Sequence, residues 1–292
     1  MLYNGELTYK EVYRWGCEQL SAAEIDEAKT DARLLLEWCC GTDRNTLLAH
    51  GERDISREEY EQYGNCIDLR KAHTPLQYII GEQNFMGLTF LVNKNVLIPR
   101  QDTEVLVEEV MRHLHDGMRI LDMCTGSGCI LLSLLRYSNN CTGVGVDISV
   151  EALKVAGRNA QRILGGQSCE ESGVTLRQGD LFEGMDEGDK FDIIVSNPPY
   201  VRTSVIETLM PEVREHEPLS ALDGHEDGML FYRRIIERAG SFLFGGGMLF
   251  FEIGYDQGDE VRLLMEKAGY TDIEVIKDFA GLDRVVCGGR HV

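Results

Sequence analysis

The eight residues Ile193-Ile194-Val195-Ser196-Asn197-Pro198-Pro199-Tyr200 restrict this chain more than any other stretch. A continuous β-branched apolar run is the pattern of a parallel strand buried on both faces, because a strand with one wet face alternates. Two prolines then end it. Neither can donate to a ladder, and each holds φ near about −65°. The backbone after Asn197 is therefore stiff, and a polar residue stands at the carboxyl end of a central parallel strand, where open α/β sheets take their ligands. One reading is a proline turn that merely stops a strand. The other is a rigid claw for a planar nitrogen: the Asn197 side-chain oxygen and a neighbouring backbone carbonyl accept its two N–H bonds, and Tyr200 packs on its face.

The flanking sequence supplies a sheet for that strand. From residue 119 onward, apolar strand-like runs alternate with helical periodicity, the signature of a parallel α/β fold. Strands are predicted over 119–123, 144–147, 174–178, 191–196, 247–252, 273–276 and 284–287. Helices are predicted to begin at Cys129, over 149–163, near 228–239 and over 259–268. Residues 165–173 and 202–227 read as loops, the second long enough to serve as a lid.

The first seventy residues read differently. Thr8-x-x-Glu11, Ser21-x-x-Glu24 and Ser56-x-x-Glu59 are candidate capping boxes. Val12, Trp15 and Leu20, then Ala32, Leu35, Leu36 and Cys39, form helical stripes that end at a C-cap, Gly41. No catalytic constellation falls here, so residues 1–73 are expected to be a helical docking bundle. Residues 85–92 and 96–98 are expected to pair as a β-hairpin turning at Asn93-Lys94-Asn95, within a connector spanning 74–100. Thr103 is expected to cap a helix running to about His115, and 101–292 to form the catalytic domain.

The loop after the first strand, Cys124-Thr125-Gly126-Ser127-Gly128, decides the cofactor class. A dinucleotide fingerprint needs G-x-G-x-x-G/A, and Leu131 stands where the third small residue belongs. A P-loop lysine is absent too. The glycines still allow positive φ and close approach of a ligand to backbone. Asp122 precedes the loop and is placed to orient an ammonium through water or backbone, while Asp147 ends the next strand and is placed to accept both hydroxyls of a ribose. Asp180 is a weaker candidate acceptor for an adenine amino group, with Leu181 flanking the ring. S-adenosyl-L-methionine has an amino acid end, a sulfonium and a ribose but no phosphate, and suits this set. The competing reading is a structural β–α turn with a solvated Asp147.

Composition narrows the rest. The net charge of −20 and the lack of a Lys/Arg cluster weigh against a nucleic-acid grip, which draws on phosphate contacts, and toward a protein or small-molecule substrate. Nine cysteines with no C-x-x-C spacing support neither zinc nor a disulfide framework and read as reduced, mostly core thiols; no metal is expected. With neither a signal pattern nor a membrane-length apolar run, the expected location is the cytoplasm.

Taken together these stretches resemble the HemK/PrmC family, which methylates a glutamine side-chain amide in bacterial peptide-chain release factors. The resemblance rests on Pro75-Leu76-Gln77-Tyr78-Ile79-Ile80-Gly81, Val96-Leu97-Ile98-Pro99-Arg100 with Asp102-Thr103-Glu104, the Asp122 to Gly128 loop, Asn197 to Tyr200, and Glu217-Pro218-Leu219-Ser220-Ala221-Leu222 with Gly228. Asn-Pro-Pro-Tyr alone is shared with amino-methylating enzymes of adenine, cytosine and protein; the Pro-Arg-x-Asp-Thr-Glu segment is the more specific part. The resemblance implies a class I S-adenosyl-L-methionine-dependent methyltransferase: a Rossmann-like, mostly parallel seven-stranded sheet with a small N-terminal helical bundle and a β-hairpin connector. It implies that Asp122, Cys124, Thr125, Gly126, Ser127, Gly128, Asp147, Asp180, Leu181 and Asn197 border the cofactor. Asn197, Pro198, Pro199, Tyr200 and Arg100 would border the substrate, with Asn197, Pro198 and Tyr200 at the chemistry. The implied substrate is the glutamine of a release factor's GGQ motif, methylated at N5 by a monomer without direct nucleic-acid contact. Two alternatives stay open: an adenine N6 methyltransferase acting on tRNA, rRNA or DNA, and a catalytically silent binding module. Two departures from the family pattern stand out. Gln101 replaces a second proline and is expected to loosen its turn, and Cys124 replaces a glycine and is expected to be open to slow alkylation.

Overall fold

A computed structural model describes residues 7–166, 169 and 172–290. Part of the predicted 165–173 loop, residues 167, 168, 170 and 171, falls outside the described residues. The chain divides into two compact units, Met1–Gly81 with Met210–His216, and Glu82–Leu209 with Glu217–Val292. Residues 74–81 of the expected connector fall in the first unit and residues 82–100 in the second.

In the first unit, α1 (Tyr9–Ala22), α2 (Ala28–Cys40), α3 (Arg44–Ala49), α4 (Arg57–Lys71) and α5 (Leu76–Ile80) enclose a core of Val12, Leu20, Leu35, Leu36, Tyr63 and Ile67. Thr8 and Ser56 form full capping boxes with Glu11 and Glu59. Ser21 and Glu24 do not. Glu24 takes φ 58°, and the N–H groups of Glu24 and Ile25 bond back to the carbonyls of Ser21 and Leu20. That pair of bonds is a Schellman motif, so the segment ends α1 instead of starting a helix, and the buried Ile25 closes it. Gly41 caps α2 at φ 55° as predicted.

In the second unit a hairpin comes first, but with another register than expected. Its strands are β1 (Glu82–Phe85) and β2 (Leu88–Leu91), and residues 96–98 are not in a strand. The turn is Met86-Gly87, both at positive φ (51° and 71°), the geometry whose twist matches the flanking strands. Met86 is an unusual residue for that turn. Its N–H donates to Glu104 Oε1 at 2.6 Å and its carbonyl accepts from the Tyr137 hydroxyl at 2.6 Å, which holds the strained turn.

The remaining elements are α6 (Asp102–His113), β3 (Arg119–Met123), α7 (Cys129–Arg136), β4 (Thr142–Asp147), α8 (Val150–Leu164), β5 (Val174–Gln178), β6 (Phe191–Ser196), α9 (Thr203–Ile206), α10 (Pro211–His216), α11 (Leu230–Ala239), β7 (Leu243–Glu252), α12 (Gly258–Lys267), β8 (Thr271–Lys277) and β9 (Asp283–Gly289). All seven predicted strands are present, in the order β5-β4-β3-β6-β7-β9-β8, with β9 alone running opposite to the other six. The unbroken apolar run in β6 has the predicted cause. Ile194 enters one core with Leu121, Met123 and Tyr232, while Ile193 and Val195 enter the other with Ile120, Leu106 and Leu131. The region read as a plain loop, 202–227, carries α9, α10 and a 3-10 turn at Leu219–Ala221. No helix among the described residues is long and apolar enough to cross a membrane.

One buried charge stands out in the helical unit. Arg70 donates to Asp31 Oδ2 at 2.7 Å and to Glu212 Oε1 at 2.9 Å. Removing one partner of a buried pair leaves a charge short of its compensation and costs about 3 kcal/mol or more. Asp31→Ala should therefore lower the urea stability of this unit by about 3 kcal/mol. Both tryptophans, Trp15 and Trp38, lie in it, so their fluorescence follows this unit's transition. An unchanged midpoint would mean that Glu212 alone holds the guanidinium.

Candidate functional site

Strand register places the predicted site residues side by side. Met123 pairs with Val146 on one side and with Ser196 on the other, so Cys124, Asp147 and Asn197 are the next residues out of three neighbouring parallel strands. A cavity of about 420 Å³ opens at that edge. Its wall includes Cys124, Thr125, Gly126, Ser127, Asp147, Asp180, Leu181, Asn197, Pro199 and Arg100, all within the sheet unit.

The Cys124–Gly128 loop is drawn to the end of β4 by backbone bonds. The Gly126 N–H donates to Asp147 Oδ2 at 2.8 Å, and the Ser149 N–H donates to Oδ1 at 2.8 Å. A carboxylate has about four lone-pair sites, so two remain for a ligand diol. Gly126 and Gly128 sit at φ 56° and 80°, as the loop's glycines require. Cys124 adopts φ 63° as well, which explains why a glycine would suit its place. Burial, with Asp147 and Asp122 nearby, raises its thiol pKa, so it stays protonated and is a poor nucleophile. Gln101 sits at φ −62°, the value a proline would impose, so its turn follows the same path.

Other assigned residues stand behind the wall. Asp122 is fully buried; its Oδ2 accepts from the Thr125 hydroxyl at 2.5 Å, and its Oδ1 has no partner. Gly128 and Pro198 do not line the cavity. Tyr200 does not line it either: it packs against the core that contains Met229 and Tyr232, and its hydroxyl donates to Glu252 Oε1 at 3.3 Å. The expected stacking of Tyr200 on a planar nitrogen is therefore not the observed geometry. A proline-locked chain turns the ring inward after Asn197. Asp180 lines the wall, but its two oxygens are engaged by Arg234 at 3.0 and 2.9 Å, a forked pair that leaves it a poor adenine acceptor.

Several residues were not singled out by spacing or composition. Asn159, fully buried on α8, donates to the Ser127 carbonyl at 2.9 Å and also exchanges hydrogen bonds with Leu91, so one amide fixes loop and hairpin together. Glu217 is buried and accepts from Arg100 at 2.6 Å, while its Oε2 lacks a partner. Ile148 lines the cavity along with Leu181, giving it two apolar side chains. Thr103 does not cap α6, whose N-cap is Gln101; its side chain lines the cavity and accepts from Asn197 Nδ2 at 3.4 Å. The predicted thiols are less buried than expected, with only Cys66, Cys129 and Cys287 in the buried class.

The wall fits an S-adenosyl-L-methionine molecule. It offers free carboxylate lone pairs for a diol, acidic surroundings for a cation, two apolar flanks for a planar base, and glycines open to close approach. Residues 11–81 match the family model for the PrmC N-terminal domain, and residues 114–237 match a methyltransferase domain. The chain is 42% identical over 263 residues to a release factor glutamine methyltransferase of Clostridium acetobutylicum, spanning 89% of this chain and 90% of that one. It is 40% identical over 283 residues to a protein of the same name from Geobacter sulfurreducens, spanning 97% and 96%. A solved methyltransferase from Pyrococcus furiosus is similar at 19% identity, with a TM-score of 0.52 over 70% of this chain and 90% of that one; this is a likeness of fold.

Burial pushes the Asp122 carboxyl up to about 7. A group whose folded pKa exceeds its unfolded value of about 3.9 binds more protons when native, so stability falls as pH rises between the two values. The loss is about 1.4 kcal/mol for each unit of displacement, absent below about pH 4 and complete above about pH 7. Asp122→Asn has no such titration. Its stability relative to the parent, read by far-UV circular dichroism in urea, should climb across that window; parallel pH profiles would show that Asp122 is solvated.

Proposed function

The chain belongs to the family of release factor glutamine methyltransferases, and from that premise we propose that it methylates the side-chain amide nitrogen, N5, of a glutamine in bacterial peptide-chain release factors. Membership makes it an S-adenosyl-L-methionine-dependent enzyme. The observation that carries the site assignment is that Asn197 shares one cavity with the Cys124–Gly128 loop and Asp147. The loop and Asp147 hold the cofactor's amino acid and ribose, and Leu181 and Ile148 flank its base. Asp122 acts from beneath through Thr125.

Asn197 and Pro198 hold the substrate. An amide nitrogen is a weak nucleophile because its lone pair is delocalised into the carbonyl. Asn197 Oδ1 and the Pro198 carbonyl accept its two N–H bonds, which favours pyramidal nitrogen and turns the lone pair toward the cofactor side. The bound cofactor supplies an electrophilic methyl on a sulfonium. Positive charge develops on the nitrogen during attack, so fixed acceptors act most strongly in the transition state. No strong base is required before attack, and the proton leaves to solvent afterwards. Pro199 and Arg100 shape the substrate side, and Tyr200 supports the claw from behind.

The helical unit is proposed to dock the release factor, because it carries a core and caps but no chemistry. The enzyme is proposed to act as a cytoplasmic monomer. The net charge of −20 disfavours the nucleic-acid alternative. Among the described residues Arg100 is the only Lys or Arg on the cavity wall, and it is paired with Glu217.

Two substitutions should separate the roles. Asn197→Ala should reduce methylation of a purified release factor by about 10²–10³-fold and leave binding of S-adenosylhomocysteine intact by calorimetry. Asp147→Ala should weaken that binding by about 1.5–3 kcal/mol, the scale of a hydrogen bond to a charged group. Full turnover by Asn197→Ala would return the proline turn to a structural role. Proportionate loss of analogue affinity would move Asn197 to the cofactor.

A further inference from the structure

The side-chain amide of Asn197 can face the cavity with either end, and only one orientation makes an acceptor. With Oδ1 toward the substrate nitrogen, the group accepts; with Nδ2 toward it, two donors oppose each other. The proline-locked backbone does not decide this, because rotation about the terminal bond exchanges oxygen and nitrogen without moving the chain. Something behind the amide must discriminate.

Behind it lies a buried polar cluster. Asn197 Nδ2 donates to Thr103 Oγ1 at 3.4 Å. Thr103 is 2% exposed and Glu252 1% exposed, so both are buried. The Tyr200 hydroxyl is spent on Glu252 Oε1 at 3.3 Å, and Glu252 Oε2 is buried with no hydrogen-bond partner. Arg284 is engaged elsewhere, donating to Asp278 Oδ2 at 3.0 Å and to the Ile253 carbonyl at 3.3 Å. The Thr103 hydroxyl neighbours this carboxylate and, with Tyr200 and the Arg284 charge, counters the burial that raises its pKa.

We propose that Thr103 and Glu252 form a rotor lock for Asn197, in which the Thr103 hydroxyl gives its proton to the orphan oxygen of Glu252 and keeps only lone pairs for Asn197. A hydroxyl has one proton. An unpaired buried carboxylate oxygen is costly to leave unmet, so it has first claim on that proton. The Thr103 oxygen can then face only a donor, which is Nδ2, and Oδ1 is left pointing into the cavity. The lock makes Thr103, from the Pro-Arg-x-Asp-Thr-Glu segment, and Glu252, at the end of β7, positioning residues for a side chain on β6. It rests on the reading of Asn197 as the substrate-nitrogen acceptor.

Thr103→Val keeps shape and removes the hydroxyl. It should lower kcat on a release factor by about 10²-fold, the effect of losing one preorganised partner, with S-adenosylhomocysteine affinity unchanged by calorimetry. Thr103→Ser restores the hydroxyl and should recover most of the turnover. The double variant Thr103→Val/Asn197→Ala should be no slower than Asn197→Ala alone, because the lock acts only through Asn197. If Thr103→Val does not fold, judged by loss of analogue binding, Thr103→Ala takes its place, since it opens space instead of filling it. The lock is overturned if Asn197→Ala is inactive while the hydroxyl-less variant turns over normally. It is also overturned if the serine variant is as slow as the valine, or if analogue affinity falls in step with kcat. A fully active Asn197→Ala would instead overturn the acceptor reading beneath it.

Discussion

The site depends on three parallel strands that stop at one edge. β4, β3 and β6 are neighbours in register, and each hands its next residue to the same cavity: Asp147, Cys124 and Asn197. Adjacent strands lie about 4.8 Å apart, so the outer two residues start about 10 Å from each other, the span of a nucleoside and its substituent. The order comes from packing. Strands buried on both faces have their register set by the two cores, and the helices α6 and α7 on one side and α11 and α12 on the other supply them. Little in the loops has to be precise for the three residues to meet.

Burial then sets the electrostatic character of that edge. Asp122, Glu217 and Glu252 are each buried and each keeps one carboxylate oxygen without a partner. Burial raises all three pKa values. Their hydrogen-bond partners are the hydroxyls of Thr125 and Tyr200 and the Arg100 guanidinium, and the Arg284 charge acts on Glu252 as well. A net charge of −20 favours a cationic ligand over an anionic one at such a cavity. A sulfonium with an ammonium is such a ligand. The same field is poor for a polyphosphate backbone.

Much of this was legible in the residue order, for reasons that differ by element. The β6 run and its prolines were readable because a doubly buried strand and a blocked ladder both leave composition marks. The glycine loop and Asp147 were readable from spacing. The Met86-Gly87 turn was not, since its strain is held by Glu104 and Tyr137, which lie far along the chain. Ser21 and Glu24 matched a helix start yet form a helix end, because a local pattern does not say which side the apolar residue will bury. Tyr200 and Asp180 were expected on the ligand side, but tertiary partners claim them: Glu252 takes the Tyr200 hydroxyl, and Arg234 engages both Asp180 oxygens at the wall. Asn159 and Glu252 carried no local signal, and Thr103 was read only as a helix cap; they matter through what they touch.

The central claim is that a proline-stiffened asparagine at the end of β6 receives an amide nitrogen across from the cofactor. A crystal structure of the protein with S-adenosylhomocysteine and a glutamine-bearing release factor segment tests it most directly. The account predicts the glutamine amide nitrogen within hydrogen-bonding distance of Asn197 Oδ1 and the Pro198 carbonyl, with the ribose hydroxyls on Asp147. A glutamine seated outside this cavity, or an Asn197 side chain bonded only to the cofactor, would contradict it.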